Sequence, residues 1–212
     1  MRKLSIALSI VLLLASACNN EKKNSGTTDS SSVAKADSAG VPVDTAAMNK
    51  AWAAYMAPGK VHQMLAKSDG QWEAEISFYA SPGQPPVVNK AVCENKMILG
   101  GRYQQSIYKG VIDNMPFEGQ GTLAYDNSKK IFISTWIDNM GTGVMQLEGT
   151  FDEATHTLNM KGRATDAVTG KDITVRETMK LVDDNTQQME MFDTKDGKET
   201  KTMSILLKRV KR

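Results

Sequence analysis

The chain has 212 residues, 41% of them apolar and 24% charged, with 26 basic against 24 acidic side chains and a formal net charge of +2. That near-balance excludes a nucleic-acid binder, which needs a basic face to displace counterions from phosphates. Two cysteines exclude a disulfide-stapled scaffold, so stability has to come from burial in a core of single-domain size.

Arg2 and Lys3 precede an apolar run from Leu4 to Ala15, and Ser16-Ala17-Cys18 follows. This is the layout of a secretory signal, too short and wrongly flanked for a stable transmembrane helix. Small residues directly before a cysteine predict a lipoprotein signal over 1–17, with Cys18 acylated as the first residue of the mature chain. Ala15 stands where such signals more often carry Leu. Membrane lipid is then a partner, and the expected location is the cell envelope, at the outer membrane or its periplasmic face. Cleavage removes Arg2 and Lys3, and the apparent positive charge goes with them.

Acylation of Cys18 leaves Cys93 alone. In Val92-Cys93-Glu94 it reads as a small buried hydrophobe. A nucleophilic thiol would need a base, and nothing in the spacing ties His62 or His156 to it. Residues 18–43 are rich in Ser, Thr, Asn, Gly, Asp, Ala and Lys and contain no aromatic. They cannot bury enough apolar area to offset their ordering entropy, which predicts a disordered tether.

Two short helices are expected over 44–70. Asp44 or Thr45 can cap the first, which carries Met48, Trp52, Tyr55 and Met56 at roughly helical spacing. Pro58 is expected to open the second, with Val61, Met64 and Leu65 on one side and Ser68-Asp69-Gly70 as its stop. Such a stripe packs on a core, and here it would cover one open end of a barrel.

From Trp72 the period becomes two: Trp72, Ala74, Ile76 and Phe78 alternate with Glu73, Glu75, Ser77 and Tyr79. Further strands are expected near 88–99, 102–109, 117–125, 130–138, 143–151, 156–164, 172–182, 187–193 and 201–208. The separators are turn chemistry, among them Asp113-Asn114, Asp126-Asn127, Thr169-Gly170 and Asp196-Gly197. Short-linked consecutive strands make an antiparallel meander, and closing it removes the edges. The expected fold over 71–212 is therefore all-β: a closed antiparallel up-and-down, lipocalin-like barrel of about ten strands. At that strand number the interior has room for a small ligand as well as side chains.

The groups PGKVHQMLAKSDGQW (Pro58 to Trp72), Leu99-Gly100-Gly101-Arg102-Tyr103, Phe117-Glu118-Gly119-Gln120-Gly121, Ala124-Tyr125-Asp126, Thr135-Trp136-Ile137-Asp138-Asn139-Met140, and Thr169-Gly170-Lys171 with Arg176 together resemble the bacterial family called domain of unknown function 1579. The resemblance covers about residues 58–208. It implies a lipocalin-like, calycin-type barrel and carries no established activity.

Seven residues are candidates for a ligand site: Trp72, Arg102, Tyr103, Trp136, Asp138, Arg176 and Glu177. Arg102, starting a strand at a barrel mouth, is an anion clamp or the partner of a structural carboxylate such as Asp138. Trp136 and Asp138 share a strand face, but Ile131, Ile133 and Ile137 occupy the other, so the inward face is undecided. Glu177 shares a face with Ile173, Val175, Met179 and Leu181, where a carboxylate is costly unless paired or protonated. It is either a polar anchor inside a cavity or the partner of Arg163 or Arg102. Methionines such as Met145, Met160, Met179, Met189 and Met203 line adaptable pockets or fill a core.

No spacing of His62 and His156 resembles a zinc site, and residues 201–208 hold no histidine for haem, so no metal or cofactor is expected. No phosphate loop or nucleophile elbow occurs. The leading expectation is an envelope lipoprotein binding a small, mostly apolar molecule with one polar or acidic group. The rivals are an enzyme using Glu177 or Asp138 as acid or base with Arg102, and a structural or interaction protein with a filled barrel.

Overall fold

The computed structural model describes residues 44–81 and 83–211; the expected signal peptide, Cys18 and the tether lie outside the described residues. Two helices, α1 (Thr45–Met56) and α2 (Lys60–Ala66), precede ten strands. These are β1 (Gly70–Phe78), β2 (Val87–Ile98), β3 (Tyr103–Ile112), β4 (Met115–Asp126) and β5 (Ile131–Asp138). The second half comprises β6 (Met145–Asp152), β7 (Thr157–Thr165), β8 (Asp172–Asp183), β9 (Thr186–Lys195) and β10 (Lys198–Arg209).

Each strand pairs antiparallel with its sequence neighbours, and β1 closes the ring by pairing with both β2 and β10. Trp72 lies opposite Cys93 on one side and Arg209 on the other. The expected closed up-and-down barrel of ten strands is therefore the observed fold. Its tight hairpins follow from turn residues that tolerate positive φ. Asp113 and Asn114 sit at 50° and 64°, and Asp196 and Gly197 at 51° and 76°. These are the left-handed pairs that match the twist of flanking strands.

Alternation sets the interior. In β1, Trp72, Ala74 and Ile76 are buried while Glu73 and Glu75 are exposed. The buried apolar residues form two clusters on opposite walls. One gathers Trp72, Cys93, Tyr108, Phe117 and Ile205; the other gathers Leu65, Phe132, Leu147, Met160 and Val175.

One end of the barrel is closed by α2 alone. Leu65 is buried, and its carbonyl accepts from Gln104 Nε2 at 2.7 Å. Buried His62 folds back so that Nδ1 accepts from the Gly59 amide at 3.0 Å, which makes Gly59 the N-cap in place of the expected start at Pro58. The cause is chemical: His62 supplies an acceptor for one of the orphan amides of the first turn. Below the helix, Trp72 Nε1 donates to the Ser68 carbonyl at 2.9 Å and Gln187 Nε2 to Ser68 Oγ at 2.8 Å. Helix α1 behaves differently. Asp44 caps it through the Ala46 and Ala47 amides, as expected, yet none of its residues is buried.

Candidate functional site

The half of the lumen away from α2 is built from the ends of β3, β4, β5, β8 and β9. Trp136 on β5 points inward, because its register partner is Gly121, and Ile137 on the opposite face is 47% exposed. That decides the face left open by the sequence. The indole lies against the wall where β4 carries glycine. A Cβ on Gly119 would meet Trp136 Cζ2 at 2.3 Å, and one on Gly121 would meet Cε3 at 3.3 Å. Glycine at both positions lets the ring lie flat on the backbone and turn its other face to the lumen.

Neighbouring side chains fix the ring. Asp138 Oδ2 accepts from Trp136 Nε1 at 2.7 Å, while its other oxygen accepts from the Met140 amide at 2.9 Å. Tyr108 meets the indole edge-on, with centroids 5.4 Å apart, and Phe117 stacks at 6.5 Å. Interior-facing residues here stay half-buried, among them Trp136, Met189, Met191 and Met203. A side chain that faces inward yet remains accessible borders open space.

Glu177 on β8 points into this space between Met160 and Met191 and is 5% exposed. Its carboxyl makes no hydrogen bond or ion pair with any described residue. Among the described residues, Asn89 Nδ2 is the buried side-chain polar atom that is both sealed and partnerless. The Glu177 oxygens have no partner among the described residues but are not completely sealed. Burial pushes this carboxyl up to about 7. Tyr108 is raised well above its ordinary value, first by burial, then by the neighbouring Cys93 and by Glu177. Cys93 is itself pushed up to about 12 by burial, so it stays a thiol. Its Sγ donates to Asn95 Oδ1 at 3.3 Å, an oxygen that also accepts from Ser106 Oγ at 2.7 Å.

The remaining candidates lie elsewhere. Trp72 is fully buried beneath α2, with the Arg209 guanidinium 4.2 Å above its ring. Arg102 and Tyr103 are exposed at the α2 end, where Arg102 donates to the Leu99 carbonyl at 3.2 Å. The pairing Arg102–Asp138 does not form: Tyr103 pairs with Ala124 and Asp138 with Gly119, so they stand roughly 15–20 Å apart along β4. Arg176 points outward, stacks over Phe192 at 3.9 Å and binds Glu199 through two hydrogen bonds of 2.7 and 2.8 Å. Arg163, the other proposed partner of Glu177, also points outward and pairs with Asp172 at 3.5 Å. Alternation puts arginine and glutamate on opposite faces, so the expected salt bridge is geometrically excluded.

Two residues escaped sequence reasoning. Tyr108 completes the aromatic group, and no alternation in β3 marked it, because Gln104 and Ser106 share its inward face while Ile107 and Val111 lie on the other. Arg209 ties the end of β10 to the lid, donating to the carbonyls of Lys67, Asp69 and Asp184 at 2.6, 2.7 and 2.9 Å. Its acceptors are backbone atoms, which no motif marks.

Beneath α2 a void of about 20 Å³ is lined by Leu65, Ser68, Gln104, Leu123 and Phe132, room for one water. A depression of about 420 Å³ on the outer wall, between Gln146, Glu148, Lys161 and Arg163, is open to solvent and polar. Among the described residues no group of three or more His, Cys, Asp or Glu is placed to hold a metal ion.

Residues 57–209 match the family described as "protein of unknown function (DUF1579)". No curated protein matches the chain. Among solved structures, the crystal structure of Rv2717c from M. tuberculosis is similar at a TM-score of 0.54, with 13% identity over 73% of this chain and 100% of that one. At that identity the likeness shows a common fold and nothing of function.

Proposed function

The chain belongs to the DUF1579 family of unknown function, and from that premise we propose that it is a lipid-anchored β-barrel of the cell envelope that binds a small, mostly apolar molecule in its lumen. One observation carries the reading: Glu177 is 5% exposed, has no hydrogen-bond or ion-pair partner among the described residues and faces the lumen. A buried carboxyl without a partner costs free energy in the folded protein. A ligand whose polar group meets Glu177, and whose apolar part lies against Trp136, Met189 and Met191, offsets that cost.

The enzymatic alternative needs Arg102 beside an acid, and Arg102 sits at the opposite end of the barrel from Asp138. Binding is therefore favoured over catalysis. The filled-barrel alternative is an outcome of the test.

Native mass spectrometry of the untagged protein, purified from its host, is expected to show a co-purifying small molecule. That species should weaken or vanish in Glu177→Gln. A clean protein mass with no adduct under gentle ionisation counts for a filled barrel. The anchor is tested separately: Cys18→Ala is expected to move the protein from the membrane to the soluble fraction, and unchanged membrane association refutes acylation.

A further inference from the structure

We propose that the polar group of the bound molecule is a cation, so that the lumen takes an apolar compound carrying an ammonium or similarly basic nitrogen. This rests on the lumen being a binding site.

Three features of the same space point one way. The first is charge. Asp138, Glu177 and Asp193 face the half of the lumen away from α2. The basic side chains of the adjoining strands turn outward to their own partners, Arg163 to Asp172, Arg176 to Glu199 and Lys201 to Glu190. Lys195 at the rim is taken by Asp166, and Arg209 is committed to the opposite end. A carboxylate ligand would meet like charge in a poorly solvated space and find no free base among the described residues of these strands to neutralise it.

The second feature is aromatic. Trp136, held flat over Gly119, presents a ring face to the lumen, with Tyr108 and Phe117 beside it. Ring faces carry negative potential and attract a desolvated cation, tryptophan most strongly. They repel an anion for the same reason. The third feature is Glu177 itself, inward-facing, buried, without a partner among the described residues and not completely sealed. An ammonium donates a charge-assisted hydrogen bond to it, roughly twice as strong as that of a neutral donor.

The arrangement also fixes a pH dependence. With its carboxyl raised to about 7 by burial, Glu177 gains charge between mildly acidic and mildly basic pH. Tyr108 and Cys93, which face it across the lumen, stay protonated over that interval because burial raises both. Asp138 and Asp193 face the space from the rim. His62 on α2 lies at the closed end, its protonation disfavoured by burial and by Arg102.

Isothermal titration calorimetry of the full chain with phenethylammonium, 2-phenylethanol and 3-phenylpropanoate compares one ring with three charges. At about pH 8 the ammonium is expected to bind at least about tenfold tighter than the carboxylate, and tighter than the alcohol. Its advantage over the alcohol should shrink several-fold at about pH 6, as Glu177 takes up its proton. Glu177→Gln should erase that advantage at both pH values while leaving the alcohol's affinity within about twofold. The pH comparison tests the point in the unaltered chain, independently of how the variant folds. Carboxylate binding as tight as ammonium binding overturns the cation, and an ammonium advantage undiminished in Glu177→Gln overturns Glu177 as its anchor. Binding of the alcohol with no preference for the ammonium overturns the cation alone and leaves the lumen as a site. Absence of binding by all three removes both readings together.

Discussion

Glu177 links the chemistry of the lumen to the stability of the protein. Its carboxyl moves from the ordinary 4.5 to about 7 on folding, with burial as the cause. Below the unfolded value both states are protonated, and burial of the neutral acid carries no charge penalty. Between the two values the unfolded chain has released its proton while the folded protein keeps it, so stability falls as pH rises. Above the folded value the penalty is complete, on the order of 3 kcal/mol for a shift of this size. Glu177→Gln, which imitates the protonated acid, should therefore stabilise the ligand-free protein at about pH 8 by ~1–3 kcal/mol, with the gain vanishing below about pH 4.5. Urea denaturation at a series of pH values checks this; a difference constant across pH would show that the residue never titrates. The wall behind Trp136 gives a second test. Alanine at Gly119 would place its Cβ 2.3 Å from Cζ2, so the indole has to leave the wall. Overpacking of this kind costs ~1–3 kcal/mol, and a shift in tryptophan emission should accompany it. Both residues were legible as anomalies: a carboxylate on an apolar face, and glycines within a strand. What faces them was not legible. Tyr108 lies outside the motifs that drew attention, and register across strands is a three-dimensional fact. The two arginines proposed for Glu177 fail for simpler reasons: alternation puts Arg163 outside, and Arg102 lies exposed in the turn before β3, at the α2 end.

At the level of elements, the two helices separate apolar spacing from burial. Both carry apolar residues at helical intervals, yet Leu65 of α2 is buried while Trp52 of α1 is 56% exposed. Helical spacing shows that a face exists but not that a partner waits for it, so the stripe of α1 was legible and its exposure was not. The contacts of α1 to the barrel are few. Asn127 Nδ2 donates to the carbonyls of Ala54, Tyr55 and Ala57 at 3.3, 3.0 and 2.8 Å. Deleting residues 44–57 should thus leave the melting temperature of the barrel nearly unchanged. Leu65→Ala, which opens a cavity beneath the lid, should cost ~2–4 kcal/mol. Calorimetric scans of both variants decide the point, and a large loss from the deletion would mean that α1 packs on something in solution. The lid is also held from the far end of the chain. Arg209→Ala removes three hydrogen bonds to carbonyls and the stacking on Trp72, all at a partly exposed site. A loss of ~1–3 kcal/mol follows from charged hydrogen bonds of this kind.

Closure is the property of the whole molecule on which the lumen depends. The two-residue period and the turn residues made ten strands readable with ends shifted by a few positions, because each strand buries one face and each hairpin needs residues that accept positive φ. Closure itself was argued from the cost of free edges, and the pairing of β1 with β10 from Trp72–Arg209 to Phe78–Met203 realises it. Which end is plugged was not readable, since that depends on how the Ser68 hydroxyl and the Lys67 carbonyl meet side chains more than a hundred residues away. An open ten-stranded sheet and a closed barrel differ sharply in one observable. In an open sheet β1 and β10 are edges, and half of their amides point to solvent and exchange by local fraying. In the closed ring those amides are hydrogen-bonded and exchange only when the barrel opens as a unit. Hydrogen exchange with mass spectrometry should therefore find peptides of β1 and β10 as protected as those of β5 and β6, while α1 exchanges quickly. Rapid exchange confined to 70–78 and 198–209 would mean that the ring is open at this seam. The lumen would then be a groove, with Glu177 exposed to solvent and no longer shifted.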